Sequence, residues 1–147
     1  MPYVSADYSK NADAPLNYWV CTRTSGLPAY EAPPPTEVQS TPDFCGQCVS
    51  YVTKVCPTLP VNTGHWKKGQ PVKNNKDIKE GTAIATFNAA GRYYGHAAIY
   101  VSQDLKGIRV YDQWISGIRP KSIGPRLITW TGHGISNNGD SFFVIEP

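Results

Sequence analysis

The sequence predicts an α+β domain, with one helix packed on an antiparallel sheet of about five strands. Two observations predict this class. One segment with helical spacing, residues 44–55, precedes a series of short β-favouring runs that begins at residue 82. The chain also contains 13 Gly and 13 Pro among its 147 residues, so turns are frequent and long helices are scarce. A helix followed by neighbouring strands is typical of an α+β domain.

The predicted helix starts after Asp43, a residue type that favours the N-cap position, and it ends before Pro57. Between them, three valines and Tyr51 follow helical spacing over residues 49–55. Cys48 therefore falls in the first turn or two of the helix.

The predicted strands are short runs of β-branched, aromatic and small apolar residues. They cover residues 82–87, 96–102, 108–114, 126–130 and 141–145. The connection between the second and third runs, Gln103–Gly107, contains Asp104 and a glycine, a composition that favours a β-hairpin.

A chain of this length fits one domain, so we interpret residues 1–147 as a single domain. Residues 8–43 contain six prolines and no sustained periodicity, which predicts an irregular, proline-rich insertion packed on that domain. No apolar run approaches the roughly 20 residues that a membrane-spanning helix requires, which excludes an integral membrane protein.

The formal net charge of +3 is distributed unevenly, with −2 over residues 1–64 and +5 over residues 65–147. A basic second half could favour an anionic polymer such as nucleic acid or bacterial cell wall, or its lysines could form a solvated loop. These lysines are Lys67, Lys68, Lys73, Lys76 and Lys79. No nucleic-acid-binding motif is visible, so we expect no nucleic-acid partner.

Cys48 is the candidate nucleophile. A thiolate is the reactive form of cysteine, and the unpaired N–H groups and positive dipole end at a helix N-terminus lower the pKa of a thiol there. The same N–H groups could hold an oxyanion during acyl transfer. The competing interpretation is that Cys48 is disulfide-bonded or a small buried apolar residue.

Among the three histidines, His96 is the candidate base, since it opens a predicted strand before the small pair Ala97–Ala98. If the hairpin closes around residues 103–107, His96 lies opposite residues 112–114, and Asp112 becomes its neighbour across the ladder. A carboxylate bonded to one imidazole nitrogen leaves the other free to accept a thiol proton. Either residue alone would be explained by a structural role, so their joint placement is what indicates catalysis.

Cys45 and Cys48 form a C-x-x-C pair, which also occurs at redox sites of the thioredoxin kind. That fold has a strand directly before the motif, whereas a proline-rich segment precedes it here. A zinc site would need four ligands, and the chain has neither a second C-x-x-C pair nor paired histidines. We therefore expect no metal or other cofactor.

The remaining cysteines predict one structural disulfide if Cys48 is a free thiol. Cys56 follows Cys48 by eight residues, about 12 Å along one helix, which is too far for a bond. Cys21 could pair with Cys45 or with Cys56, and either bond would tie the insertion to the helix. The spacing leaves both pairings open.

Four segments, taken in order, carry a resemblance to a known family. They are GQCVSYV at 46–52, KEGTAIATF at 79–87, GHAAIYVS at 95–102 and IRVYDQW at 108–114. Together they resemble the CHAP branch of the NlpC/P60 peptidases and, within it, the type VI secretion amidase effectors of family two. The two ends of the chain, MPYV and SNNGDSFFVIEP, are similar to that family's ends.

The resemblance implies a papain-like fold and a cysteine peptidase that hydrolyses amide bonds of peptidoglycan peptides. Cys48 would be the nucleophile and His96 the general base, with Asp112 orienting the histidine and Gln47 helping to stabilise the oxyanion. The scissile bond that it suggests joins D-alanine to meso-diaminopimelate. Three aromatic residues either wall the substrate groove or belong to the core: Tyr51, Tyr94 and Trp114.

The resemblance further implies an antibacterial toxin, monomeric when free, that a cognate immunity protein would block. The first residues, MPYVSADYSK, lack the pattern of a secretory signal peptide. We therefore expect export without a signal peptide, by a type VI system, into the periplasm of target bacteria. A secreted, extracellular protein is the alternative.

The chain departs from the family pattern in the insertion at 8–43 and in three extra cysteines, Cys21, Cys45 and Cys56. A disulfide between Cys45 and Cys48 would switch the enzyme off reversibly. The insertion could shape substrate choice or bind an inhibitor protein. The rival class is a wall-binding module of the same fold with an inactive site.

Overall fold

A computed structural model describes residues 2–31, 43–116 and 119–147, and it confirms the α+β class. Within these residues a single α-helix, α1 (Cys48–Val55), packs on one six-stranded sheet. The strands are β1 (Lys67–Pro71), β2 (Ala83–Phe87), β3 (Tyr93–Gln103), β4 (Gly107–Trp114), β5 (Lys121–Thr129) and β6 (Phe142–Glu146). All neighbouring strands are antiparallel, in the order β1-β6-β2-β3-β4-β5.

The predicted hairpin is formed by β3 and β4. Ile99 pairs with Tyr111 and Tyr100 with Val110, a register that agrees with the predicted one. It brings the start of β3, where His96 lies, beside the end of β4, where Asp112 lies. The centre of the sheet therefore supplies the polar side chains of the candidate site.

The helix packs on β3 and β4 through an apolar face. Tyr51, Val52 and Val55 on this face are almost completely buried. They pack in one core cluster with small residues of the sheet, among them Ala97 of β3 and Ala85 of β2. Because protein cores are densely packed, these small side chains allow the helix backbone to lie close to the sheet.

The helix begins later than the sequence predicts. Its first residue is Cys48 and its N-cap is Gln47, so Asp43 is not the cap. Phe44 and Gly46 have φ angles of 51° and 79°, in the left-handed region, and a right-handed helix cannot run through them. The correction moves Cys48 to the N-terminal end of the helix.

The prediction of a solvated lysine loop is wrong for Lys67 and Lys68, which belong to β1. Among the described strands, β1 lies at the edge of the sheet and pairs with β6 alone. Its sequence, KKGQP, lacks the β-branched and aromatic residues that signal a strand, and exposed lysines are typical of edge strands. With β1, the described part of the chain forms six strands instead of about five, and β5 begins five residues earlier than predicted.

The described part of the predicted insertion is irregular, with one 3₁₀ turn at Arg23–Ser25 and a bridge between Trp19 and Tyr30. It is packed on the sheet, because Tyr18 O accepts a hydrogen bond from Ile123 N–H of β5. Four of its six prolines, at 33–35 and 42, lie outside the described residues. Among the described residues, no helix is long and apolar enough to cross a membrane.

Candidate active site

Cys48 is the first residue of α1, and its side chain is partly exposed. The side chain of the N-cap residue, Gln47, does not cap the helix. The N–H groups of the first turn therefore keep their positive potential beside the thiol. The hydroxyl of Tyr93 on β3 lies 3.3 Å from Cys48 Sγ.

His96 lies near the start of β3, and only 5% of its surface is exposed. Its Nε2 atom is 2.8 Å from Oδ2 of Asp112 on the neighbouring strand. Its backbone N–H donates to Thr86 Oγ1 at 2.9 Å, which fixes the strand at this point. Since Asp112 occupies Nε2, Nδ1 is the ring nitrogen left for the thiol.

Cys48 and His96 each shift the pKa of the other. Burial by itself would raise the pKa of the Cys48 thiol, but the charge of His96 and hydrogen bonds from His96, Tyr93 and the Ala97 N–H outweigh it, and the pKa is lowered. Burial opposes the protonation of His96, yet the Cys48 thiolate and Asp112 raise its pKa to about 9. A lowered thiol pKa beside a raised imidazole pKa favours the pairing of a thiolate with an imidazolium.

Asp112 is completely buried and faces three cationic side chains. Besides His96, Arg126 Nε donates to Oδ2 at 2.8 Å, and Lys121 Nζ lies 3.1 Å from Oδ1 as an ion pair without hydrogen-bond alignment. Burial would raise the pKa of Asp112, but its contacts with His96, Arg126 and Lys121 lower it to about 2. The carboxylate therefore stays ionised and holds the imidazole in one orientation.

A groove with a volume of about 570 Å³ opens over these residues. Gln47 and Trp114 line it, as the sequence analysis anticipates. Tyr51 does not line it, because it lies on the sheet-facing side of α1, and of the two alternatives it belongs to the core. Tyr94 is also outside the groove and 60% exposed, because side chains alternate along a strand and Tyr93 points into the site instead.

Several groove residues were not found from the sequence. Tyr93 lies next to a predicted residue, and strand alternation was the signal that could have identified it. Arg126 reaches the groove from β5, and Ser136 and Asn137 reach it from the segment before β6. No local pattern marks these three, since only the pairing of distant strands brings them to Cys48.

The cysteines resolve into one disulfide and two free thiols. Cys21 is bonded to Cys45, and Cys48 and Cys56 are free. Of the two pairings that the spacing leaves open, the one with Cys45 is formed. Because Cys45 is joined to the insertion, it is not paired with Cys48, and the C-x-x-C segment holds no internal disulfide.

Gln113, the buried neighbour of Asp112, links the insertion to the start of α1. Its Oε1 accepts from Val20 N–H at 3.1 Å, and its Nε2 donates to Val20 O at 3.0 Å and to Gln47 O at 2.9 Å. The side-chain amide thus accepts from Val20 N–H and adds a donor to Val20 O and Gln47 O, which also accept from the backbone N–H groups of Gly46 and Ser50. No sequence pattern indicates this role, because a glutamine in a strand usually faces solvent.

The described residues contain no group of three or more His, Cys, Asp or Glu side chains that could hold a metal ion. The candidate site brings together a thiol, an imidazole and a carboxylate, with backbone N–H groups at the helix start. In combination these groups suit nucleophilic acyl transfer.

A cysteine that begins a helix and faces a histidine on an antiparallel sheet defines the papain-like class of α+β proteins. The family model described as "Domesticated amidase effector 2" matches residues 28–145. The chain is 44% identical over 104 residues to domesticated amidase effector 2 of Ixodes scapularis, covering 68% of this chain and 70% of that protein.

A second relative is the type VI secretion amidase effector 2 protein of Salmonella typhi, 34% identical over 115 residues, which cover 68% of this chain and 84% of that protein. The solved structure of a type 6 secretion amidase effector 2 superimposes with a TM-score of 0.59 at 33% identity. That match covers 68% of this chain and 80% of the other. The chain belongs to the domesticated amidase effector 2 family.

Proposed function

We propose that this protein is a cysteine-dependent amidase that hydrolyses peptide cross-links of bacterial peptidoglycan. The observation that carries the proposal is the arrangement of Cys48, His96 and Asp112, with the thiol at a helix start and the imidazole held by a buried carboxylate. The relatives' names, which describe amidase effectors, support the reaction class.

In the proposed reaction, the Cys48 thiolate attacks the amide carbonyl and forms a tetrahedral intermediate. Backbone N–H groups at the start of α1 stabilise the oxyanion, assisted by the side chain of Gln47, which lines the groove. The His96 imidazolium then donates its proton to the leaving amine. In the second half, His96 removes a proton from water, and the hydroxide releases the acyl group from Cys48.

The proposed scissile bond joins D-alanine to meso-diaminopimelate. Cleavage of this cross-link weakens the wall, which agrees with an antibacterial role. By analogy with relatives named as type VI effectors, we propose export by such a system into the periplasm of target bacteria, with an immunity protein as the partner that blocks the groove. An extracellular, secreted protein is the alternative.

The test is digestion of purified, meso-diaminopimelate-type cell wall, with the products analysed by mass spectrometry. The wild type should convert cross-linked dimers to monomers, and Cys48→Ala should reduce the rate roughly a thousand-fold or more. Cys56→Ala, which removes the other free thiol, is the matched control and should retain activity.

An active Cys48→Ala variant would show that Cys48 is not the nucleophile. If the wild type binds the wall but leaves every cross-link intact, the protein is a wall-binding module. Products cut at another amide would keep the reaction class and replace the proposed bond.

A further inference from the structure

Arg126 projects from β5 into the candidate groove in a fixed orientation. Its Nε donates to Asp112 Oδ2 at 2.8 Å and its Nη1 to Asn137 Oδ1 at 3.0 Å. The guanidinium lies 4.7 Å from the ring centre of Trp114. Among the described residues nothing accepts a hydrogen bond from Nη2, so a charged donor that is already oriented remains unused.

The charges around Arg126 do not cancel. His96, Lys121 and Arg126 supply three positive charges when the imidazole is protonated, and Asp112 and the Cys48 thiolate supply two negative charges. Lys121 does not line the groove, and its Nζ donates to three backbone carbonyls. The excess positive charge is therefore available to a ligand at Arg126.

The position of Arg126 indicates which half of a substrate it would meet. The leaving amine must lie next to His96, which protonates it, and the His96 ring packs edge-on against Trp114 at 6.2 Å between centroids. Arg126 lies over the face of the Trp114 ring, and both side chains line the groove next to His96. Groups attached to the leaving amine would therefore extend toward the guanidinium.

The other side of Cys48 has a different character. A second cavity of about 420 Å³ adjoins the groove and shares Gln47, Val49 and Tyr93 with it. Its further lining includes Phe44 and Val61, and no charged side chain of the described residues lines it. The two ends of the site are thus chemically distinct, one cationic and one neutral and partly apolar.

We propose that Arg126 binds a free carboxylate on the amine half of the peptide substrate. The inference rests on the proposed function, whose substrate it specifies. In a D-alanine–meso-diaminopimelate cross-link, the carbon that bears the acylated amine also bears a free carboxylate, so a suitable anion lies next to the scissile amide. Arginine binds carboxylates through paired N–H donors, and the unused Nη2 can supply one of them.

The test compares two cross-linked muropeptide dimers, one with this carboxylate free and one with it converted to the carboxamide. The wild type should favour the free acid by roughly ten- to a hundred-fold in kcat/KM, the range for a hydrogen-bonded charge. Arg126→Gln should bring the preference close to one, and Arg126→Lys should retain part of it. Arg109→Gln, on the surface and paired with Asp104, is the control and should match the wild type.

The measured quantity is the ratio of kcat/KM for the two dimers. Arg126 also contacts Asp112, so replacing Arg126 lowers the rate on both dimers and the rate alone would not test the proposal. If a variant cleaves the dimers too slowly for kcat/KM to be measured, the affinities of the two dimers can be compared instead. They are measured in the Cys48→Ala protein and in the double variant Cys48→Ala, Arg126→Gln. A wild type that cleaves both dimers equally, or an Arg126→Gln protein that keeps the preference, overturns this inference alone. A wild type that cleaves neither overturns the proposed function as well.

Discussion

His96 and Asp112 meet across the β3–β4 hairpin, with Nε2 of the imidazole 2.8 Å from Oδ2 of a carboxylate that solvent does not reach. They are close because the hairpin pairs Ile99 with Tyr111, so the two polar residues lie on the same part of the ladder. The contact fixes the tautomer of His96 and directs Nδ1 toward Cys48. The reactivity of the thiol therefore depends on the register of one hairpin.

We expect Cys48 to react with iodoacetamide at lower pH than an ordinary thiol. The pKa of the Cys48 thiol is lowered and that of His96 is raised to about 9, and both shifts favour the thiolate–imidazolium pair, so the thiolate forms at lower pH than in an ordinary cysteine. Burial raises the pKa of Cys56 to about 11, so Cys56 is an internal control that should stay unmodified. Peptide mapping between pH 5 and about pH 10 measures both sites.

In the unfolded protein both thiols should react alike, near the ordinary cysteine pKa of about 8.5. His96→Ala should move the Cys48 profile toward higher pH. Equal reactivity of Cys48 and Cys56 in the folded protein would contradict the charge pairing.

Tyr93→Phe should lower the activity roughly three- to ten-fold, because it removes one hydrogen bond to the thiolate. Burial, followed by the nearby Cys48 charge, raises the pKa of Tyr93, so its hydroxyl remains a protonated donor. The matched control is Tyr94→Phe, which alters the exposed neighbour on the other face of the strand. Alkylation of Cys48 and hydrolysis of a muropeptide are the two measurements, and equal effects of both variants would exclude the hydrogen bond as the cause.

Protonation of Asp112 should lower the stability of the folded protein in acid. Its folded pKa of about 2 is below the usual value, so the stabilisation is present above about pH 4 and is lost as the pH falls toward 2. The difference from the usual pKa corresponds to roughly 2 kcal/mol. Urea unfolding at several pH values should show a smaller loss between pH 4 and about pH 2 for Asp112→Asn than for the wild type.

At neutral pH the same variant should be less stable by roughly 3–5 kcal/mol, since Lys121 and Arg126 lose their buried partner. Asp104→Asn is the control on an exposed ion pair with Arg109. If the free energy of unfolding of Asp112→Asn falls in acid as much as that of the wild type, other carboxyl groups are responsible for the loss of stability.

Gln113→Leu should lower the free energy of unfolding by roughly 1–3 kcal/mol, because Val20 N–H loses its buried acceptor, while Val20 O and Gln47 O each lose one of their donors. Gln70→Leu removes an exposed amide that accepts a hydrogen bond from Asn75, and it should change stability by less than about 0.5 kcal/mol. Chemical denaturation of the two variants makes the comparison. A cost for Gln113→Leu no larger than that for Gln70→Leu would refute the structural role.

The sequence predicts the central part of the candidate site because the proximity of its residues depends on local features. Cys48 follows a turn at the start of the clearest helix, and His96 and Asp112 belong to two strands joined by one short hairpin. The hairpin register follows from the length of its connection, so the contact between the two residues is predictable from a few neighbouring positions. The helix start was missed by several residues, because Phe44 and Gly46 adopt a left-handed conformation that no residue pattern announces.

The tertiary structure decides everything that depends on distant pairing. Arg126 and Lys121 reach Asp112 because β5 pairs with β4, and Gln113 meets Val20 across 93 residues of sequence. The same applies to the choice of Cys45 as the partner of Cys21, and to β1, whose polar sequence forms a strand only because β6 is beside it. Local preferences determined which residues can do the chemistry; long-range packing determined the charges that surround them.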